Sequence, residues 1–217
     1  MLQSKFFRIP PRTWVIFIFS FTTGLSSLQL FAREPDPRAY FFMSGLTIGN
    51  REFQLGDPEN WRTGLNNLSG GSTSGKVQAQ PEDYQGKNDA LHLTWSKKET
   101  KGQLALYGPA VDLSNFKDIA ALTMDIKITR KPTADVTVGM DCGSPCRAEV
   151  RVDKQLKKEK VNEWFILPIP LNCFKSDQFD LSKINGPFLI STSGRLELSI
   201  ANIRLVRLPE GETGCAD

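Results

Sequence analysis

From Tyr40 to Val206 the apolar residues return at every second position rather than every third or fourth. In an extended strand successive side chains point to opposite sides, so this spacing gives each segment one apolar and one polar face. Leu122, Met124, Ile126 and Ile128 alternate with Thr123, Asp125, Lys127 and Thr129. Leu91, Leu93 and Trp95 oppose His92 and Thr94, and the pattern continues through Val136, Val138 and Met140, then Ala148, Val150 and Val152. Phe165, Leu167, Ile169 and Leu171 share a face, with Pro168 and Pro170 on the other; proline cannot donate to a ladder, so this segment is expected at an edge or in an irregular ladder. The last segment runs Leu196, Leu198, Ile200 and then slips to Ile203 and Leu205, which a β-bulge near Ala201-Asn202 explains, because one extra residue reverses every facing that follows.

Turn signals separate these runs: residues 66–75, rich in Asn, Ser and Gly, then Gln85-Gly86-Lys87-Asn88-Asp89, Lys131-Pro132-Thr133 and Thr192-Ser193-Gly194. Helical signals are confined to a turn or two at Leu113–Ile119, Lys154–Lys160 and Leu181–Ile184. Half-apolar strands must bury one face against another layer. The chain therefore predicts an all-β fold, an antiparallel sandwich or jelly roll, over residues 40–207. Residues 33–39, containing Pro35 and Pro37, form a stiff spacer before it, and residues 208–217 a polar tail.

The charge is distributed unevenly. The full chain has 27 Lys and Arg against 24 Asp and Glu in 217 residues, a formal +3. Lys5, Arg8 and Arg12 lie in residues 1–32, which contain no acid and continue into the uncharged run Trp14–Phe31. This is the pattern of a secretory signal or a signal anchor, and it predicts export to the periplasm or cell envelope, with any membrane association made through this segment. From Arg33 onward the counts are 24 and 24. The global balance therefore gives no support to nucleic acid as a partner. The single histidine, His92, rules out a tris-histidine zinc site and reads as a surface or loop-packed residue rather than a ligand. Residues 69–75 lack the G-x-x-x-x-G-K-S/T spacing of a phosphate loop.

Cys142 and Cys146 bracket the turn Gly143-Ser144-Pro145 and are expected to form a disulfide, in keeping with an oxidising compartment. Cys173 and Cys215 are left unassigned, and no metal site is expected from the four thiols.

Several segments together are similar to the C-terminal galactose-binding-like domain of ExoP-type family 3 glycoside hydrolases. They are Asp89-Ala90-Leu91-His92-Leu93-Thr94-Trp95, Cys142-Gly143-Ser144-Pro145-Cys146, Trp164 leading to Pro170-Leu171-Asn172-Cys173-Phe174, Asp180-Leu181-Ser182-Lys183-Ile184, Pro187-Phe188-Leu189-Ile190-Ser191-Thr192, and the strand from Leu196 to Val206. The resemblance covers about Phe53–Val206 and implies a jelly roll related to carbohydrate-binding modules. The barrel and second α/β domain that carry catalysis in those enzymes have no counterpart here, so the resemblance transfers no catalytic residue. It implies a non-catalytic protein that binds a polysaccharide or oligosaccharide, or supports a glycoside hydrolase. The alternative is an envelope sandwich used for structure or protein docking.

Sugar recognition places an aromatic ring under the apolar face of a pyranose and planar polar side chains on its hydroxyls. Trp95 is in phase with the apolar face and belongs to the core. Trp61, Tyr84, Tyr107 and Trp164 remain as aromatic candidates, Trp61, Tyr84 and Trp164 being the preferred platforms, with Asp125 and Arg147 as polar ligand-binding candidates on outward faces that otherwise read as solvated. No cofactor is required; a structural calcium ion, if present, would fit the loop of Glu82-Asp83 and Asn88-Asp89.

Overall fold

The computed structural model describes residues 35–215, so the segment expected to direct export lies outside the described residues. Among the described residues, fourteen strands make two antiparallel sheets. They are β1 (Tyr40–Met43), β2 (Leu46–Thr47), β3 (Glu52–Gly56), β4 (Thr63–Gly64), β5 (Gly70–Gly71), β6 (Val77–Glu82), β7 (Ala90–Trp95), β8 (Gly102–Tyr107), β9 (Ala120–Arg130), β10 (Val136–Asp141), β11 (Arg147–Arg151), β12 (Trp164–Pro170), β13 (Gly186–Thr192) and β14 (Leu196–Arg207). The eight-stranded sheet runs β12-β9-β14-β7-β6-β5, with β1 on β14 and β2 on β1; the six-stranded sheet runs β11-β10-β13-β8-β3-β4. One short helix, α1 (Asp153–Lys158), and 3-10 turns at Ser114–Phe116, Leu171–Cys173 and Leu181–Lys183 include all three stretches expected to be helical.

The alternation assigns the core. Leu122, Met124, Ile126 and Ile128 of β9 and Leu198 and Ile200 of β14 join Val136, Val138 and Met140 of β10 and Phe188 and Ile190 of β13 in one buried cluster. Trp95 is buried with them, and its indole N–H donates to the Gly102 carbonyl at 3.0 Å, which satisfies its one polar atom. β12, with its two prolines, is an edge strand. The register of β14 against β9 shifts between Ala201 and Arg204, where Asn202 adopts φ 48°, and the bulge returns Ile203 and Leu205 to the interior.

The expectation that the polar faces are solvated fails at Thr123, Asp125 and Ser199, which are all buried. The bulge that rescues Ile203 also turns Asn202 and Arg204 onto this face, where Asn202 Nδ2 donates to Asp125 at 2.7 Å and Arg204 lies 3.4 Å from it. The described part of the tail, residues 208–215, is tied down. Cys173 and Cys215 form a second disulfide, and the Asn172 side chain donates to the Thr213 carbonyl while accepting from the Cys215 N–H. Cys142 and Cys146 are bonded as expected.

Candidate functional site

The outer face of the six-stranded sheet holds a groove of about 370 Å³. Its floor comes from outward positions of β8, where Gln103 and Tyr107 alternate with the core residues Leu104 and Leu106. One wall is the loop after β3. Asp57 follows that strand fully buried and accepts the backbone N–H groups of Glu59, Asn60 and Ser74 at 2.6 to 3.0 Å. Burial pushes its carboxyl up, but the hydrogen bonds from Ser74 and Asn60 outweigh that and hold it far below the usual carboxylate range. The loop so fixed presents Trp61 with 47% of its surface exposed. Gly56 permits this path: a β-carbon there would lie 2.6 Å from the Trp61 carbonyl oxygen.

The opposite wall is the hairpin between β10 and β11. Asp141 and Arg147 sit opposite each other across the Cys142–Cys146 disulfide. Arg147 Nη2 donates to Asp141 at 2.6 Å, the Gly143 N–H donates to it at 2.8 Å, and the Tyr107 hydroxyl donates at 3.0 Å. Burial raises the Asp141 carboxyl, and these donors, Arg147 foremost, more than reverse the shift, so it stays ionised. The Tyr107 hydroxyl is pushed up by burial and by Asp141. Gly186 leaves space for the ring, because a β-carbon there would lie 2.8 Å from Tyr107. Arg62 stacks its guanidinium 5.4 Å from the Tyr107 ring centroid at the rim.

Two amides complete the groove. Gln103 is 3% exposed, and its Oε1 has no hydrogen-bond partner; the same is true of Asn185 Oδ1. A buried polar atom without a partner costs about 1–3 kcal/mol, and a donor that reached either oxygen would recover part of that cost.

The five ligand-binding residues expected from sequence divide between two faces. Trp61 and Arg147 meet in this groove. Tyr84, Trp164 and Asp125 gather on the other sheet, where the Tyr84 and Trp164 rings lie 4.4 Å apart and Lys127 sits 5.3 Å over Trp164. Asp125 is held there by Asn202 and Arg204. Gln103, Asn185 and Arg62 were missed; Gln103 had a signal, as a polar residue in phase with Tyr107 on the outward face of an apolar strand. In the loop expected to suit calcium, Asp89 accepts the N–H groups of Tyr84, Gln85 and Gly86, and Asp83 that of Asn88, so these carboxylates are engaged in closing the turn. Among the described residues no group of three or more His, Cys, Asp and Glu is placed to hold a metal ion.

Residues 52–205 match the Exop_C family, described as galactose-binding domain-like. The chain belongs to this family. Among solved structures, the Exop_C-type domain here is similar to the extra C-terminal domain of the exo-1,3/1,4-β-glucanase ExoP from a Pseudoalteromonas species, with a TM-score of 0.63 and 18% identity over 82% of this chain and 99% of that one. Against the whole ExoP enzyme it aligns over 84% of this chain but only 22% of the enzyme, with a TM-score of 0.65 and 19% identity. The family 30 carbohydrate-binding module of the cellulosomal cellulase Cel9D-Cel44B of Clostridium thermocellum aligns with a TM-score of 0.56 and 15% identity over 80% of this chain and 98% of the module. At these identities the likeness is one of fold. No curated protein matches the chain.

Proposed function

We propose that this domain is a non-catalytic glycan-binding module of the cell envelope that holds a polysaccharide or oligosaccharide through the Trp61 groove and can support a glycoside hydrolase acting on it. One observation carries the reading: an exposed indole and two unpartnered buried amide oxygens converge on one groove beside an ion pair held by a disulfide hairpin. The indole offers a sugar ring its apolar face, while Gln103, Asn185 and Arg147 supply planar donors and acceptors for hydroxyls. The two disulfides fit an oxidising compartment outside the cytosol, and among the described residues no helix is long and apolar enough to cross a membrane.

The name of the ExoP relative selects the first probe, a mixed-linkage 1,3/1,4-β-glucan, run in an affinity gel beside a glycan array. Retardation that Trp61→Ala and Gln103→Ala each weaken at least about tenfold, roughly 1.4 kcal/mol, supports the groove. A protein that binds no glycan on the array is not a module of this kind. The second reading, a protein-docking sandwich, has its own observation: Ile119 and Val206 are exposed beside Phe116 and Leu205 in an apolar groove of about 230 Å³. Hydrolysis of the glucan by pure protein would remove the non-catalytic part of the proposal.

A further inference from the structure

The outer face of the eight-stranded sheet carries a second cavity, of about 250 Å³, over β5, β6 and β7. β5 is Gly70–Gly71; Gly71 lies opposite Gln78, and a β-carbon there would meet nothing nearer than 3.8 Å, so that end of the face stays open. Gln78, Gln80, His92 and Thr94 line the space. Both glutamines are exposed and make no side-chain hydrogen bond among the described residues. His92 is held in place: its Nδ1 is 3.0 Å from Ser199 Oγ, and its Nε2 is 3.4 Å from Glu197.

Strand register extends this cavity into a track. Gln80 lies opposite His92, His92 opposite Ser199, Ser199 opposite Lys127, and Lys127 opposite Trp164, whose ring packs against Tyr84. Four strand spacings of about 4.8 Å make it roughly 19 Å long. Its charges are paired internally, Glu82 with Lys127 and Glu197 with Arg130, so the track presents no unbalanced field to attract an ion. What it leaves free are amides and a hydroxyl, groups that both donate and accept, and sugar hydroxyls do the same.

We infer that this cavity is a second glycan site, formed by Gln78, Gln80, Thr94 and His92, and that the domain is bivalent. The inference rests on the glycan-binding reading of the Trp61 groove. Because the two sites open on opposite outer faces of one sandwich, a single domain bridges two glycan chains.

Calorimetric titration with a 1,3/1,4-β-glucan tetrasaccharide tests this, together with turbidity of the parent polysaccharide on mixing with protein. The expected result is two sites per chain in the unaltered protein, one in Trp61→Ala, one in the double variant Gln78→Ala/Gln80→Ala, and none in the combined variant. Turbidity is expected only where both sites remain. The glutamines are exposed, so the double variant should melt with the unaltered protein, and the melt is recorded. A single site lost in Trp61→Ala and kept in the glutamine variant overturns bivalence and leaves the groove standing. A single site lost only in the glutamine variant overturns both bivalence and the groove. No heat and no turbidity from the unaltered protein overturns the glycan-binding reading itself.

Discussion

Lys76 is fully buried, yet the three N–H groups of its ammonium are shared among four backbone carbonyls, those of Ser96, Lys98, Ser193 and Gly194, 2.5 to 2.9 Å from Nζ. It works as a cation built into the chain, joining the loop after β7 to the turn between β13 and β14. Lys76→Met keeps the volume of the stem and strands the four oxygens, and about 3 kcal/mol of stability should be lost in urea unfolding. Asp57 makes the opposite use of charge, as a buried carboxylate that fixes the Trp61 loop. Its pKa is lower folded than unfolded, so the unfolded chain binds the proton more readily in between. The stability it contributes is fully present above the unfolded value of about 3.9 and is lost as pH falls through the folded value. Asp141 adds to the same trend. Melting temperature should therefore fall steeply below about pH 4, and Asp57→Asn should flatten that limb while lowering stability at neutral pH.

Among the elements, the two disulfides close loops of very different length. In the chain-entropy account, cross-linking residues separated by 4 contributes about 2 kcal/mol and by 42 about 4 kcal/mol. Cys173→Ser/Cys215→Ser should accordingly lose about twice the unfolding free energy lost by Cys142→Ser/Cys146→Ser. Glycan affinity should move the other way. The shorter bridge staples the hairpin that presents Asp141 and Arg147, so its loss should weaken binding several-fold, whereas loss of the longer one, outside the groove lining, should leave binding at its original strength. Paired denaturation and affinity measurements on the two double variants separate these effects. The Gly-Ser-Pro turn between two cysteines was enough to pair them, because a loop that short has few other closures. Cys173–Cys215 was not legible, since nothing local brings the tail back to the 3-10 turn at Leu171–Cys173.

At the scale of the molecule, the formal neutrality of the chain from Arg33 onward separates sugar binding from polyanion binding. Stacking and hydrogen bonding depend little on ionic strength, while phosphate contacts release counterions and weaken steeply with salt. Retardation by β-glucan should therefore change less than about twofold between about 50 mM and about 500 mM salt, and the protein should pass through immobilised DNA at the lower concentration. Strong salt dependence would show that the charges, and not the rings and amides, carry recognition. The sequence by itself determined the layers: side-chain direction in a strand has a period of two, so Leu122, Met124, Ile126 and Ile128 had to face one core, and the slip at Ala201-Asn202 had to be a bulge. It also nominated Trp61 and Arg147. Only the tertiary structure decided that these two share a groove, that Tyr84, Trp164 and Asp125 belong to the opposite face, and that Thr123, Asp125 and Ser199 are buried. Periodicity reports which side of its own strand a residue takes; which strands are neighbours, and what folds over them, depends on contacts between residues far apart in the chain.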